Sequence, residues 1–129
     1  MQNKLLHFTV VEEAHNVLIK PHDYTANGNA QRAAADIFGN MLSEVRGYGQ
    51  GFMIVDQVPT RLIDDAIKNT NYKIVHRLTA PDDQEVMAAC MAFREDQKYI
   101  IPALEKGNVI ICGDEDDAAA WVKIPAPHI

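Results

Sequence analysis

The chain has 129 residues, of which 47% are hydrophobic, and its 12 basic and 18 acidic side chains leave a net charge of −6. A domain of this length removes roughly two-thirds of its unfolded surface from water, so disulfides and metals are not needed to hold its core. The acidic balance, without any Lys or Arg run longer than two, excludes a surface that grips a phosphate backbone through charge alone. No targeting segment is expected from the amino-terminal residues, and no stretch comes near the ~18 apolar residues of a membrane span. Cys90 and Cys112 lie in separate apolar runs, as reduced thiols of a cytoplasmic protein do.

In chain order, Leu5 to Val11 reads as a short strand buried on both faces. Glu12 to Ile19 is helix-forming until Pro21, and His22 to Asn29 reads as a loop. Ala30 to Arg46 is Ala-rich and carries Ile37, Phe38, Met41 and Val45 at helical spacing, which predicts the longest helix. Gly47, Gly49 and Gly51 turn it into a second strand, Phe52 to Val55, which ends in Asp56-Gln57. Arg61 to Lys68 reads as a short helix and Tyr72 to Leu78 as a third strand. Pro81 and two acids then open a helix from about Asp82 to Phe93. A further helical piece, Glu95 to Leu104, precedes a hairpin of Val109 to Cys112 and Ala120 to Ile124 around the acidic turn Asp114 to Asp117. The expected fold is α/β, a mostly parallel sheet flanked by helices with a C-terminal β-hairpin. No internal repeat or low-complexity linker divides residues 1–129.

In an open α/β sheet, ligand chemistry collects beyond the carboxyl ends of the strands. Three such ends carry polar groups here: Glu12-Glu13, Asp56-Gln57 and His76-Arg77. Paired acids after an apolar strand suit a nucleotide hydrolase, one carboxylate holding a Mg²⁺ shell and the next polarising water. The same pair equally suits the positive end of a helix dipole. Glu12 and His15 have the E-x-x-H spacing of di-iron bundles, but a second copy is missing. His7, His22 and His128 share no ligand spacing with the cysteines, which leaves zinc without support, and Cys90 reads as a core residue. Gly47, Gly49 and Gly51 precede a strand, the wrong context for a dinucleotide fingerprint.

The string Thr9-Val10-Val11-Glu12-Glu13-Ala14-His15-Asn16-Val17-Leu18 resembles the Walker B segment of the HerA and FtsK superfamily of P-loop ATPases, in its HerA-like form. Glu44 through Gln57 is similar to that family's arginine-bearing turn and the strand ending in a sensor glutamine. Ile67 to Leu78 resembles its N-T-N-x-K-I-x-x-R-L strand, and Leu104 to Ile124 its closing hairpin. The four motifs occur in family order over nearly the whole chain. The resemblance implies a partial RecA-like fold, with Glu12 in the Mg²⁺ shell, Glu13 as the catalytic carboxylate that orients water, and Gln57 as the γ-phosphate sensor. Arg46 and Arg77 are the two arginines that could reach a neighbouring subunit's nucleotide in a ring. Glu12 stands where the family often has Asp.

The phosphate-cradling G-x-x-x-x-G-K-[ST] does not occur in the sequence. The expectation is therefore the carboxyl-terminal half of a HerA-like ATPase core, inactive alone. The intact parent would use ATP and Mg²⁺, act on DNA, and assemble with copies of itself or other ring subunits, without a membrane. The alternative is a stand-alone, non-catalytic α/β interaction module derived from such an ATPase. The P-loop strand of a RecA-like sheet lies between the second and third strands read here. Its absence implies a slot between them, filled by collapse or by a strand-exchanged dimer.

Overall fold

The structure, a computed structural model, describes residues 4–20 and 26–126. Residues 22–25 of the expected loop lie outside them. The chain forms two compact units, Met1–Asn69 and Thr70–Ile129.

In the first unit, β1 (His7–Glu12) and β2 (Gln50–Val55) pair in parallel, from His7 opposite Gln50 to Glu12 opposite Val55. Parallel neighbours need a long crossover, and it runs through α1 (Ala26–Glu44) and a 3-10 turn, Val45–Tyr48. α1 is the longest helix described and takes in Ala26 to Asn29, which the sequence places in a loop. Once the Ala-rich stretch has nucleated a helix, extending it by a turn through Asn and Gly needs no second nucleation. Gly49 is where the chain turns into β2. Its φ is +72°, a Cβ there would lie 2.5 Å from the Lys4 carbonyl oxygen, and its own carbonyl accepts the Leu6 and His7 N–H groups.

Cross-strand partners share a face of the pleat. On one face Phe52 meets the ring of Phe38 from α1 edge-on, with centroids 6.0 Å apart. On the other, Phe8, Val10, Met53 and Val55 stay between 42% and 51% exposed. The expectation that the first strand is buried on both faces is therefore corrected: the described part of this unit covers one face only.

Two expected helices are shortened for one reason. Leu18 to Lys20 and Arg61 to Ile63 pair with each other: the Lys20 N–H donates to the Arg61 carbonyl and the Ile63 N–H to the Leu18 carbonyl. The pairing buries Leu18, Leu62 and Ile63. What remains helical is a 3-10 turn at Ala14–Asn16, another at Pro59–Arg61, and α2 (Asp64–Lys68). α2 approaches α1 at Gly39, where a Cβ would come within 2.8 Å of the Asp65 carboxylate.

The second unit is an antiparallel sheet in the order β3 (Tyr72–Val75), β4 (Asn108–Gly113), β5 (Ala120–Lys123). Val75 and Ile110 build its core with Ala88 and Met91 from the α3 segment (α3, Pro81–Cys90) and Ile101 and Leu104 from around α4 (Ile100–Ala103). α3 starts at its proline and closes on Ala92 at φ +51°, the Phe93 N–H reaching back to the Ala88 carbonyl.

The mostly parallel sheet is thus corrected: one pairing is parallel and two are antiparallel. A single returning helix makes the next strand parallel, whereas two helical segments, α3 and α4, bring the chain back running the other way. β4 is flanked on both sides within its own sheet, and its Val109 and Ile110 are both buried. The terminal hairpin forms as read, with the Asp116 carboxylate accepting the Gly113 N–H at 2.7 Å in the turn. No helix among the described residues is long and apolar enough to cross a membrane.

Candidate active site at the ends of two parallel strands

Parallel strands in register finish together, so the residues that follow β1 and β2 are neighbours although far apart in sequence. Glu12 is the last residue of β1, exposed, opposite Val55. Glu13 follows in the left-handed conformation (φ 48°, ψ 47°) and opens the turn Ala14–Asn16. A glutamate in that region costs roughly 1–2 kcal/mol, strain of a kind that gathers at functional positions.

Across from it, the Gln57 side-chain amide donates to a Glu13 carboxylate oxygen at 2.9 Å. The Glu13 side chain is 53% exposed, so this carboxylate is held from one side and open on the other. Beneath it, the Asp56 carboxylate is only 3% exposed. Its Oδ1 accepts the Val58 N–H at 2.7 Å. Its Oδ2 accepts the His15 backbone N–H at 2.7 Å and faces His15 Nδ1 at 2.9 Å. Burial pushes the Asp56 pKa up, but the Val58 and His15 hydrogen bonds and the nearby imidazole outweigh it, and the net shift is downward. The group is an ionised, acceptor-only carboxylate. His15 Nδ1 also lies 3.8 Å from Glu13 Oε2.

The structure thus brings Glu13 and Gln57 into contact, with Glu12 beside Glu13 in sequence. It does not bring Arg46 to the same place. That residue belongs to the turn Val45–Tyr48 before β2, at the opposite end of the strand from Gln57, and its side chain lies outside the described part. Arg77 follows β3 in the second unit and is exposed. Sequence reasoning assigned no role to Asp56 and considered His15 only as an iron ligand. The available signal was an acid directly after an apolar strand, next to the glutamine, a charged group that must find donors if its neighbours bury it.

Oxygen donors from one or two carboxylates suit Mg²⁺, which normally keeps waters and substrate phosphates as its other ligands. Glu12 and Glu13 fit that part. Among the described residues no group of three or more His, Cys, Asp or Glu side chains could hold a metal by itself. A groove of about 420 Å³ lined by Ile37, Met41 and Tyr48, among others, lies along α1 and the following turn rather than at these strand ends.

No protein-family model matches the chain. The DNA double-strand break repair helicase HerA of Pyrococcus furiosus is 32% identical over 116 residues, which cover 89% of this chain and 20% of that protein. The probable HerA of Methanocaldococcus jannaschii is 28% identical over 119 residues, 92% of this chain and 24% of that protein. Over about nine-tenths of its own length the chain is similar to HerA. It spans about a fifth to a quarter of the length of these relatives. Among solved structures, the chain resembles the genome packaging NTPase B204 of Sulfolobus turreted icosahedral virus 2 in its sulfate complex. The TM-score is 0.70 at 15% identity, over 94% of this chain and 55% of that one. VirB4 of Thermoanaerobacter pseudethanolicus matches with a TM-score of 0.67 at 17% identity, over 93% of this chain and 31% of that one. At such identities the likeness is one of fold.

Proposed function

We propose that this chain is the Walker B, sensor and arginine segment of a HerA-like, ATP-driven DNA-translocating ATPase, equivalent to the part of a RecA-like core from the Walker B strand onward. The observation that carries the reading is the Gln57–Glu13 hydrogen bond across the ends of two parallel strands. It places an open carboxylate beside an amide that can follow a phosphate.

In this reading Glu12 holds the Mg²⁺ shell. Glu13 polarises the attacking water as general base. Gln57 releases or keeps Glu13 according to whether a γ-phosphate competes for its amide. Bound Mg²⁺ would neutralise charge developing on the transferred phosphate. Arg46, at the far end of β2 from Gln57, suits an arginine offered to a neighbouring subunit in a ring, and Arg77 is the other candidate. The bare face of Phe8, Val10, Met53 and Val55 is where the remainder of the core would pack. DNA and other ring subunits are the proposed partners. With no phosphate cradle of its own, the chain hydrolyses no ATP alone.

The test is a graft. This chain replaces the matching 116 residues of Pyrococcus furiosus HerA, and Mg²⁺-dependent ATP hydrolysis is measured with and without DNA. Hydrolysis by the graft and none by the chain alone is expected. A graft that folds and binds nucleotide without hydrolysing it would favour the non-catalytic interaction module, and Mg²⁺-dependent turnover by the isolated chain would overturn the reading.

A further inference from the structure

The buried Asp56 carboxylate has no part in the reaction just proposed, yet three hydrogen bonds converge on it. The geometry points to Asp56 as a positioning residue that, through His15, holds Glu13 in its left-handed conformation and fixes His15 as the Nδ1–H tautomer.

The argument begins with the turn Ala14–Asn16. A residue opening a helical turn usually accepts one of the turn's free N–H groups with its own side chain. Glu13 makes no such bond. Its backbone carbonyl accepts the Asn16 N–H, and the His15 N–H is taken by Asp56 Oδ2, from a residue 41 positions away. Asp56 therefore caps the turn in place of Glu13, which leaves the Glu13 carboxylate for Gln57.

The side chain of His15 closes the clamp. An ionised carboxylate only accepts hydrogen bonds, so the nitrogen 2.9 Å from Oδ2 must carry the proton. In the neutral ring Nε2 is then the bare acceptor. Oδ1 is meanwhile tied to the Val58 N–H, so the carboxylate cannot rotate away from His15 without breaking a second bond. The end of β2 and the turn after β1 are joined through one buried group, and the strain at Glu13 is held by that joint. The consequence for chemistry rests on Glu13 having the role proposed above. The clamp itself does not.

The test uses the ¹⁵N-labelled chain at about pH 8, above the ordinary imidazole range, read by long-range ¹H–¹⁵N correlation of the imidazoles. The His15 signals are identified by their loss in His15→Asn. The expected result is a protonated-type Nδ1 and a bare-type Nε2 for His15. In Asp56→Asn, the amide oxygen can keep the Val58 bond while the NH₂ group faces His15. There His15 should revert to the Nε2–H form and the Gln57 side-chain amide signals should move, in a variant whose dispersed amide spectrum shows that it is folded. His15→Asn, whose amide nitrogen mimics Nδ1, should keep the Gln57 signals in place, and His15→Ala should not. An Nε2–H tautomer in the wild-type chain would overturn the proposal, as would an Asp56→Asn variant that leaves the Gln57 amide where it was. If Asp56→Asn fails to fold, the wild-type tautomer and the His15 pair of variants still decide. No nucleotide enters these measurements, so failure of the hydrolytic reading of Glu13 would leave them unmoved.

Discussion

Gln57 and Glu13, 44 positions apart in sequence, are joined by a 2.9 Å hydrogen bond because the strands they follow are parallel and end in register. The contact is a product of strand pairing rather than of local sequence. It inherits its precision from Glu12 lying opposite Val55, and from the Asp56 clamp on the neighbouring turn.

That clamp has a pH signature. The folded Asp56 carboxyl titrates below its ordinary value of 3.8, because its N–H donors outweigh burial. A depressed folded pKa contributes stability that is fully present above the unfolded value and lost as pH falls through the folded one. Chemical denaturation from pH 6 down to about 2 should show the wild-type chain losing stability faster below 3.8 than Asp56→Asn. Parallel curves would mean that the carboxylate gains nothing from its donors.

Two left-handed positions should respond in opposite directions. At Gly49, a side chain meets both a positive φ and the Lys4 carbonyl oxygen 2.5 Å away. Gly49→Ala should cost at least about 2 kcal/mol, since the backbone penalty alone is roughly 1–2. At Ala92, φ +51° already carries that penalty at the end of α3. Ala92→Gly removes it against an unfolded-state entropy cost of about 0.4–1 kcal/mol. A net gain of about 0.5–1 kcal/mol, read as a rise in Tm, is expected.

The exposed sheet face gives a third comparison. Val10 and Met53 are opposite each other and about half exposed. Val10→Thr with Met53→Thr should therefore change the stability of the isolated chain by no more than about 1 kcal/mol, about 0.5 for each. In the HerA graft the same pair should lower the Tm by several degrees, because there the proposed remainder of the core packs on it. Equal, small effects in both settings would show that nothing covers this face.

The strand and helix order was legible because short apolar runs and a 3.6-residue stripe survive in the sequence, and β1, β2, α1, α3 and the terminal hairpin lie within a few residues of their readings. What was not legible depends on partners distant in sequence. Leu18 and Ile63 leave helix-forming stretches because they pair with each other. β3 joins an antiparallel sheet because α3 and α4 together reverse the chain. At the site, Glu12, Glu13 and Gln57 were marked by their positions after apolar strands, whereas the joint between His15 and Asp56 needs the parallel register before the two can meet. Arg46 lies where the resemblance puts it, in the turn before β2 and at the other end of that strand from Gln57.

The most direct test of the account is Glu13→Gln in the HerA graft, with ATP affinity and turnover measured separately. The amide keeps the shape of the carboxylate and can still pair with Gln57, but it cannot accept a proton from water. The account predicts nucleotide binding within a few-fold of the unmutated graft and turnover lower by about 10²-fold or more. Unchanged turnover, or binding and turnover falling together, would contradict it and make Glu13 a structural residue of the turn.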